Sequence, residues 1–138
     1  MSLDLSSLEK ALTSLDRAIK RSQAAPGDEE LRDSVIQRFE YTYELSWKML
    51  KRQLEADAPS PEAIDALGFK DLVREGAVSG LIADPEAWFA YREQRNITSH
   101  TYDEKKAEQV YRAALRFYGD ALALFGELKK RNPENDRS

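Results

Sequence analysis

The residues best suited to chemistry lie in one short stretch, RNITSHTY, at positions 95–102. It contains Arg95, the only histidine of the chain, His100, and Tyr102. A guanidinium binds phosphate through paired hydrogen bonds, an imidazole exchanges protons near neutral pH, and a phenol can donate to the same anion. Together these three groups are sufficient for metal-independent cleavage of RNA by the neighbouring 2′-hydroxyl.

The count of histidines limits how such a site can work. One histidine cannot be both base and acid from separate positions in one chain, and a homodimer that brings two copies together would solve this. If there is catalysis, the histidine count therefore favours a symmetric interface. A purely structural alternative is that His100 caps the carbonyl groups at the end of a helix. In an unbroken helix Arg95 and His100 would point about 140° apart. Thr101 and Glu104 have the spacing of a capping box, which predicts a helix break near residues 98–100.

Composition excludes several classes of protein. The chain has 138 residues, a net charge of −4 and no cysteine. This size predicts one domain, and the charge argues against a general DNA- or RNA-coating protein. Without cysteine and with one histidine, we expect no metal centre, and the absence of glycine-rich phosphate loops favours no bound cofactor. No apolar run reaches the roughly 20 residues of a membrane span, so we expect a cytoplasmic protein and no membrane contact.

Helical periodicity dominates the chain. Apolar residues recur every three to four positions, and Asp28, Ser60 and Asp84 stand where helix caps are expected. The fold class is therefore all-α: an antiparallel up-and-down bundle of four main helices with a short broken-helix connector. The predicted domain covers residues 1–131, followed by a flexible tail at 132–138. The predicted helices span about 3–23, 29–57, 61–67, 69–77, 85–98 and 101–131.

Weaker candidates for function accompany the motif. Four acidic residues can form carboxylate pairs, but their spacing is typical of solvated helix faces: Glu40, Glu44, Glu93 and Glu104. A basic cluster closes the second helix and can face a nucleotide or an acidic partner, or simply complement the helix dipole: Lys48, Lys51 and Arg52. Trp47 and Trp88 can stack a base, but tryptophan on an apolar stripe is more often part of a core.

The order Arg95-x4-His100-x-Tyr102 resembles the R-x4-H-x-Y motif of the HEPN superfamily, in particular its HepT-like members. The aromatic stretch IQRFEYTYELSWKMLKRQLE at 36–55 and the segment at 69–104 are similar to one branch, the nucleotidyltransferase substrate-binding proteins. The resemblance covers nearly the whole chain in order. It implies a helical bundle that forms a homodimer and binds a separately encoded minimal nucleotidyltransferase.

Two functions follow from this resemblance. In the first, the chain is a subunit that holds a nucleotide or RNA substrate while the partner transfers a nucleotide. In the second, it is a ribonuclease toxin that uses Arg95 and His100 and is neutralised by the partner in a toxin–antitoxin pair. The resemblance also implies that the partner can modify Tyr102 with AMP. The chain itself lacks the Gly-Ser and Asp-x-Asp constellation of a nucleotidyltransferase, so that activity is expected in the partner.

Overall fold

The computed structural model describes residues 2–136 of the chain. In this part the structure is helical and contains no strand, which confirms the predicted all-α bundle. Two short 3-10 turns follow the fifth and the sixth helix, at Thr98–His100 and Pro133–Asp136. The helices are α1 Ser6–Ala24, α2 Glu29–Asp57, α3 Pro61–Asp65, α4 Phe69–Val78, α5 Pro85–Ile97 and α6 Glu104–Arg131.

The long helix α2 matches its prediction because its two ends carry strong signals. The Asp28 carboxylate accepts hydrogen bonds from the backbone N–H groups of Glu30 and Leu31, at 3.0 and 3.2 Å. At the other end, the prolines after Asp57 prevent the helix from continuing. Helix α2 packs along α1 and α6, and the connector α3–α4 lies against its second half.

An aromatic cluster centred on Phe117 holds α2, α5 and α6 together. The Phe117 ring contacts Phe39, Tyr43, Trp88 and Tyr91 with centroid distances of 5.1–6.2 Å. All five side chains are buried. Trp88 therefore belongs to the core, as its position on an apolar stripe predicts. The cluster fixes α5, the helix that carries Arg95, against α2.

The segment after α6 is not a free tail over its first four residues. The Asn132 amide accepts a hydrogen bond from the Leu3 N–H at 2.9 Å and donates one to Gln53 at 2.7 Å. Asn135 accepts from the Leu5 N–H at 2.9 Å. The prediction of a flexible tail from residue 132 is thus corrected for residues 132–135, because the side-chain amides of Asn132 and Asn135 pair with backbone groups ahead of α1. Residues 137 and 138 lie outside the described part.

Candidate functional site

The predicted break in the motif is present. Helix α5 ends at Ile97, and residues 98–100 form a single 3-10 turn. The Thr98 hydroxyl donates to the Arg95 carbonyl at 2.8 Å, and the Thr101 hydroxyl donates to the Thr98 carbonyl at 3.2 Å. At the end of α5, the Arg95 carbonyl is therefore satisfied by the Thr98 hydroxyl rather than by His100.

The start of α6 differs from its prediction. The expected capping box of Thr101 and Glu104 is wrong, because Asp103 is the N-cap. Its carboxylate accepts from the N–H groups of Lys105 and Lys106 at 2.9 and 3.2 Å. A carboxylate at this position also interacts favourably with the positive end of the helix dipole. The turn therefore extends to residue 103, and Tyr102 lies in it rather than in the helix.

A second contact holds the start of α6 to the start of α2. The Arg32 Nη1 donates to Glu104 Oε2 at 2.7 Å, and the Arg32 side chain is only 13% exposed. This hydrogen bond lowers the pKa of the Glu104 carboxyl below its ordinary value. The turn with His100 and Tyr102 is thus bounded by two fixed points, Ile97 at the end of α5 and Glu104 at the start of α6.

Arg95 is held by two carboxylates of α2. Its Nε donates to Glu44 Oε1 at 2.8 Å, and its Nη2 lies 3.7 Å from Glu40 Oε1. The other oxygen of Glu44 accepts from the Trp47 Nε1 at 3.2 Å. Glu40 and Glu44 are therefore not only solvated residues of a helix face. The spacing Glu40, Glu44, Trp47 places the three side chains on one side of a helix, but it does not identify their partner on α5.

His100 and Tyr102 lie together on the exposed turn. Their ring centroids are 6.2 Å apart in an edge-on arrangement, and Tyr102 is 85% exposed. Tyr102 is thus accessible. By contrast, Tyr111 is half-buried and its hydroxyl shares a hydrogen bond of 2.8 Å with Ser22. The motif is divided between a fixed arginine on α5 and an exposed histidine and tyrosine after it.

Arg95 also lines an open cleft of about 470 Å³ between α2, the connector and α5. We call it the aromatic–cationic cleft. Its aromatic and charged lining residues are Tyr43, Glu44, Trp47, Lys51, Phe69, Arg92 and Arg95. Of the predicted basic cluster, Lys51 faces the cleft and pairs with Asp65 at 2.8 Å, whereas Lys48 and Arg52 are exposed.

Two features define the chemistry of this cleft. Burial raises the pKa of the Tyr43 phenol, so its hydroxyl stays protonated and can donate a hydrogen bond. The Arg92 guanidinium lies 4.6 Å from the centroid of the Phe69 ring, a cation–π contact. The cleft thus combines aromatic surface, cations and a neutral phenol with the Glu44 carboxylate, which pairs with Arg95.

Neither a metal centre nor a membrane span is found within residues 2–136. No group of three or more histidine, aspartate or glutamate side chains there is arranged to hold a metal ion. No helix in the same range is both long and apolar enough to cross a membrane.

Comparison with known proteins supplies relatives over almost the full length. A Haemophilus influenzae protein named "Probable ribonuclease HepT" is 42% identical, and the match covers 94% of each chain. A solved structure from Haemophilus influenzae is 41% identical with a TM-score of 0.86, covering 91% of this chain and 99% of that one. It is described as revealing the fold of a substrate binding domain of a nucleotidyltransferase.

A crystal structure of a protein from Thermus thermophilus is similar at 29% identity and a TM-score of 0.73, over 88% of this chain and 98% of that one. The family model described as "Nucleotidyltransferase substrate binding protein like" matches residues 3–130. These matches confirm the resemblance that the motif and the aromatic helix indicated. The chain therefore belongs to the nucleotidyltransferase substrate binding protein-like family, which includes HepT-like relatives.

Proposed function

We propose that this chain is the substrate-binding subunit of a two-protein system and acts with a separately encoded minimal nucleotidyltransferase. The observation that carries this proposal is the aromatic–cationic cleft, which opens beside the motif and is lined by cations and aromatic rings. A cleft of this size is within the range of small-molecule sites, roughly 300–1,000 Å³. The family description and the similar Haemophilus influenzae fold support the same assignment.

The partner supplies the transfer chemistry, and the resemblance to HepT-like proteins implies that this chain is itself one of its substrates, through Tyr102. The phenolic oxygen of Tyr102 attacks the α-phosphorus of ATP in the partner's site. The bond from that phosphorus to the bridging oxygen breaks, pyrophosphate leaves, and the phenolic proton is released to solvent. The product carries AMP on a turn that is already exposed, so modification requires no unfolding of the bundle.

The first test is whether the two proteins form a complex. The chain and the minimal nucleotidyltransferase encoded beside it are purified separately, mixed, and analysed by size-exclusion chromatography with light scattering. We expect a stable complex whose mass accounts for both chains. Separate elution of the two folded proteins at micromolar concentration would contradict the proposal.

A second candidate function is a dimeric, metal-independent ribonuclease neutralised by that partner. It is favoured by the exposure of His100 directly after the helix that carries Arg95, and by the 42% identical relative named "Probable ribonuclease HepT". In this scheme His100 of one copy removes the proton of the 2′-hydroxyl, whose oxygen attacks the adjacent phosphorus. The second copy of His100 protonates the leaving 5′-oxygen, and Arg95 stabilises the charge on the phosphorus.

The ribonuclease scheme has a structural condition that can be measured. Arg95 is bound by Glu44 and Glu40, so an RNA phosphate must compete with two carboxylates for the guanidinium.

The exposed aromatic surface at Tyr41, which is 39% exposed, is the expected contact between copies. Light scattering of the chain alone tests the dimer. A monomer at micromolar concentration would remove the two-histidine mechanism.

A further inference from the structure

We propose that a cationic face on α1 and α2 is the docking surface for an acidic segment of a protein partner, with a carboxylate of that segment bound by Arg38. The cationic face is formed by Lys10 and Arg17 of α1 and by Arg38, Lys48 and Arg52 of α2. This inference rests on the proposed function, because it assigns the surface through which the nucleotidyltransferase partner is bound. It uses neither the aromatic–cationic cleft nor the R-x4-H-x-Y motif.

Arg38 is the unusual member of this face. Among residues 2–136, the half-buried arginines are Arg32, Arg38 and Arg95. Arg32 and Arg95 pair with glutamates, whereas Arg38 pairs with no carboxylate in the same range. An arginine is seldom withdrawn from water without a carboxylate partner. A partly desolvated guanidinium without a counter-charge is therefore suited to an anion that another molecule supplies.

Serine side chains hold Arg38 in place. Its Nε donates to Ser14 Oγ at 2.9 Å, and its Nη1 donates to the hydroxyl and the carbonyl of Ser34. The Tyr41 hydroxyl donates to the same Ser14 Oγ at 2.9 Å. These contacts fix the guanidinium without neutralising its charge. The Arg38 Nη2 donates no hydrogen bond within the described part of the chain, so it is left for an incoming carboxylate.

The surface of α1 beside Arg38 is cationic as well. An open depression of about 230 Å³ lies there and is lined by Glu9, Lys10, Thr13, Ser14 and Arg17. Neither Lys10 nor Arg17 forms an ion pair with any of residues 2–136. Together with Arg38, these cations outnumber Glu9, the carboxylate among the lining residues. A positive surface on a chain whose net charge is −4 is complementary to an acidic partner.

The cationic face continues along α2. Lys48 and Arg52 follow Tyr41 at intervals of seven and four residues, so the three share one exposed side of the helix. Neither cation takes part in an ion pair among the described residues. Both belong to the basic cluster that the sequence indicated, whose third member, Lys51, is bound to Asp65. An acidic segment can therefore lie along α2 with one carboxylate at Arg38.

A protein partner fits this face better than a second copy or RNA. Arginine and tyrosine are enriched among the residues that contribute most to protein–protein binding, and Tyr41 lies beside Arg38 with 39% of its surface exposed. A two-fold contact between copies would bring the same cations together, and like charges across an interface repel. The negative charge of the whole chain opposes association with RNA. Tyr41 is thus assigned to the partner rather than to the contact between copies of the ribonuclease scheme.

Arg116 of α6 provides a matched control. It takes part in no ion pair within residues 2–136, as is true of Arg38, and its replacement changes the net charge equally. It lines a groove between α5 and α6, which is not part of the cationic face. Arg38→Met and Arg116→Met therefore differ in which surface loses its cation.

The experiment is isothermal titration calorimetry of the full chain with the neighbour-encoded nucleotidyltransferase. We expect Arg38→Met to weaken the complex by about tenfold or more, because it removes a charge pair at the centre of the contact. Arg116→Met should leave the affinity unchanged. The urea midpoint of Arg38→Met should equal or exceed that of the parent, since an unpaired, half-buried cation adds little stability and both serines are partly exposed to water.

The outcomes separate this inference from the proposed function. No complex with the parent chain overturns both, whereas a complex that Arg38→Met leaves unchanged overturns this inference alone. An equal loss in Arg116→Met overturns it too, as does a lowered urea midpoint of Arg38→Met, which would show a structural role. Light scattering in which Arg38→Met separates two copies of the chain would assign the face to a second copy. Weaker binding of a labelled single-stranded RNA with an unchanged partner complex would assign it to RNA, and either result contradicts the proposal.

Discussion

The two halves of the R-x4-H-x-Y motif differ in how firmly the fold holds them. Arg95 lies in the last turn of α5, bonded to Glu44 and near Glu40, with one third of its side chain exposed. His100 and Tyr102 lie on the following turn, where both are exposed. The bundle therefore fixes the guanidinium of Arg95 and leaves the imidazole of His100 and the phenol of Tyr102 accessible to another molecule.

This difference follows from the packing of the elements. Helix α5 is anchored through Trp88 and Tyr91 to the Phe117 ring. The side chains on its inner face are therefore held in fixed positions. The turn after it is bounded by Thr98 and Asp103 but has no buried side chain of its own. A rigid cation beside an accessible turn suits a site that is completed by a second chain, whether a copy or a partner.

The largest effect is expected on any ribonuclease activity, measured with a labelled single-stranded RNA in EDTA. Arg95→Ala and His100→Ala should each reduce cleavage by about a hundredfold or more, because they remove charge stabilisation and proton transfer respectively. Both variants should keep the helix content of the parent chain. Unfolding of His100→Ala would show instead that the exposed half of the motif is structural.

A smaller effect is expected on the stability of the fold, and only the Arg95 half of the motif should show it. Glu44→Gln should lower the free energy of unfolding by about 1 kcal/mol, since the Arg95 pair and the Trp47 hydrogen bond are only partly buried. Tyr102→Phe should stay within about 0.5 kcal/mol of the parent because Tyr102 is exposed. Urea denaturation measures both.

Glu93→Gln is the matched control for the loss of a carboxylate, since Glu93 is exposed on α5. We expect its unfolding midpoint to equal that of the parent chain. If Glu44→Gln and Glu93→Gln have the same unfolding midpoint, Arg95 is not held by Glu44 in solution. The contrast between the two halves of the motif is then removed.

The smallest effect concerns pH and the Arg32–Glu104 pair that bounds the turn. The hydrogen bond from Arg32 lowers the Glu104 pKa from its ordinary value of 4.5 in the folded state. A carboxyl with a depressed pKa stabilises the fold above the unfolded value and loses that contribution as the pH falls through the folded one. The difference in urea midpoint between the parent and Glu104→Gln should therefore be present at about pH 6 and shrink below about pH 4.5. A difference that is constant over this range would contradict the pairing.

Sequence alone predicted the parts of the fold that depend on local signals. Helix α2 begins after Asp28 and ends at Asp57 as expected, and the break near residues 98–100 is present. These boundaries depend on caps, prolines and apolar spacing, which act within a few residues.

The missed features depend on contacts between distant parts of the chain. Asn132 pairs with Leu3 and Gln53, and Glu44 pairs with Arg95, 51 residues away. A glutamate that pairs across the bundle and one that is solvated have the same local pattern, so the pairing cannot be read from spacing. The choice of Asp103 over Thr101 as N-cap was missed for another reason, because both residues are good caps and the preceding 3-10 turn decides between them.

The central claim is that this chain acts with a separate nucleotidyltransferase through its exposed turn, and modification of Tyr102 tests it most directly. The full chain is incubated with the neighbour-encoded nucleotidyltransferase and ATP, and intact mass and peptide mapping are then measured. We predict addition of AMP at Tyr102, absent in Tyr102→Phe and retained in Tyr111→Phe, whose hydroxyl is paired with Ser22 in the parent chain. No addition by a partner shown to be active, or addition that persists in Tyr102→Phe, would contradict the account.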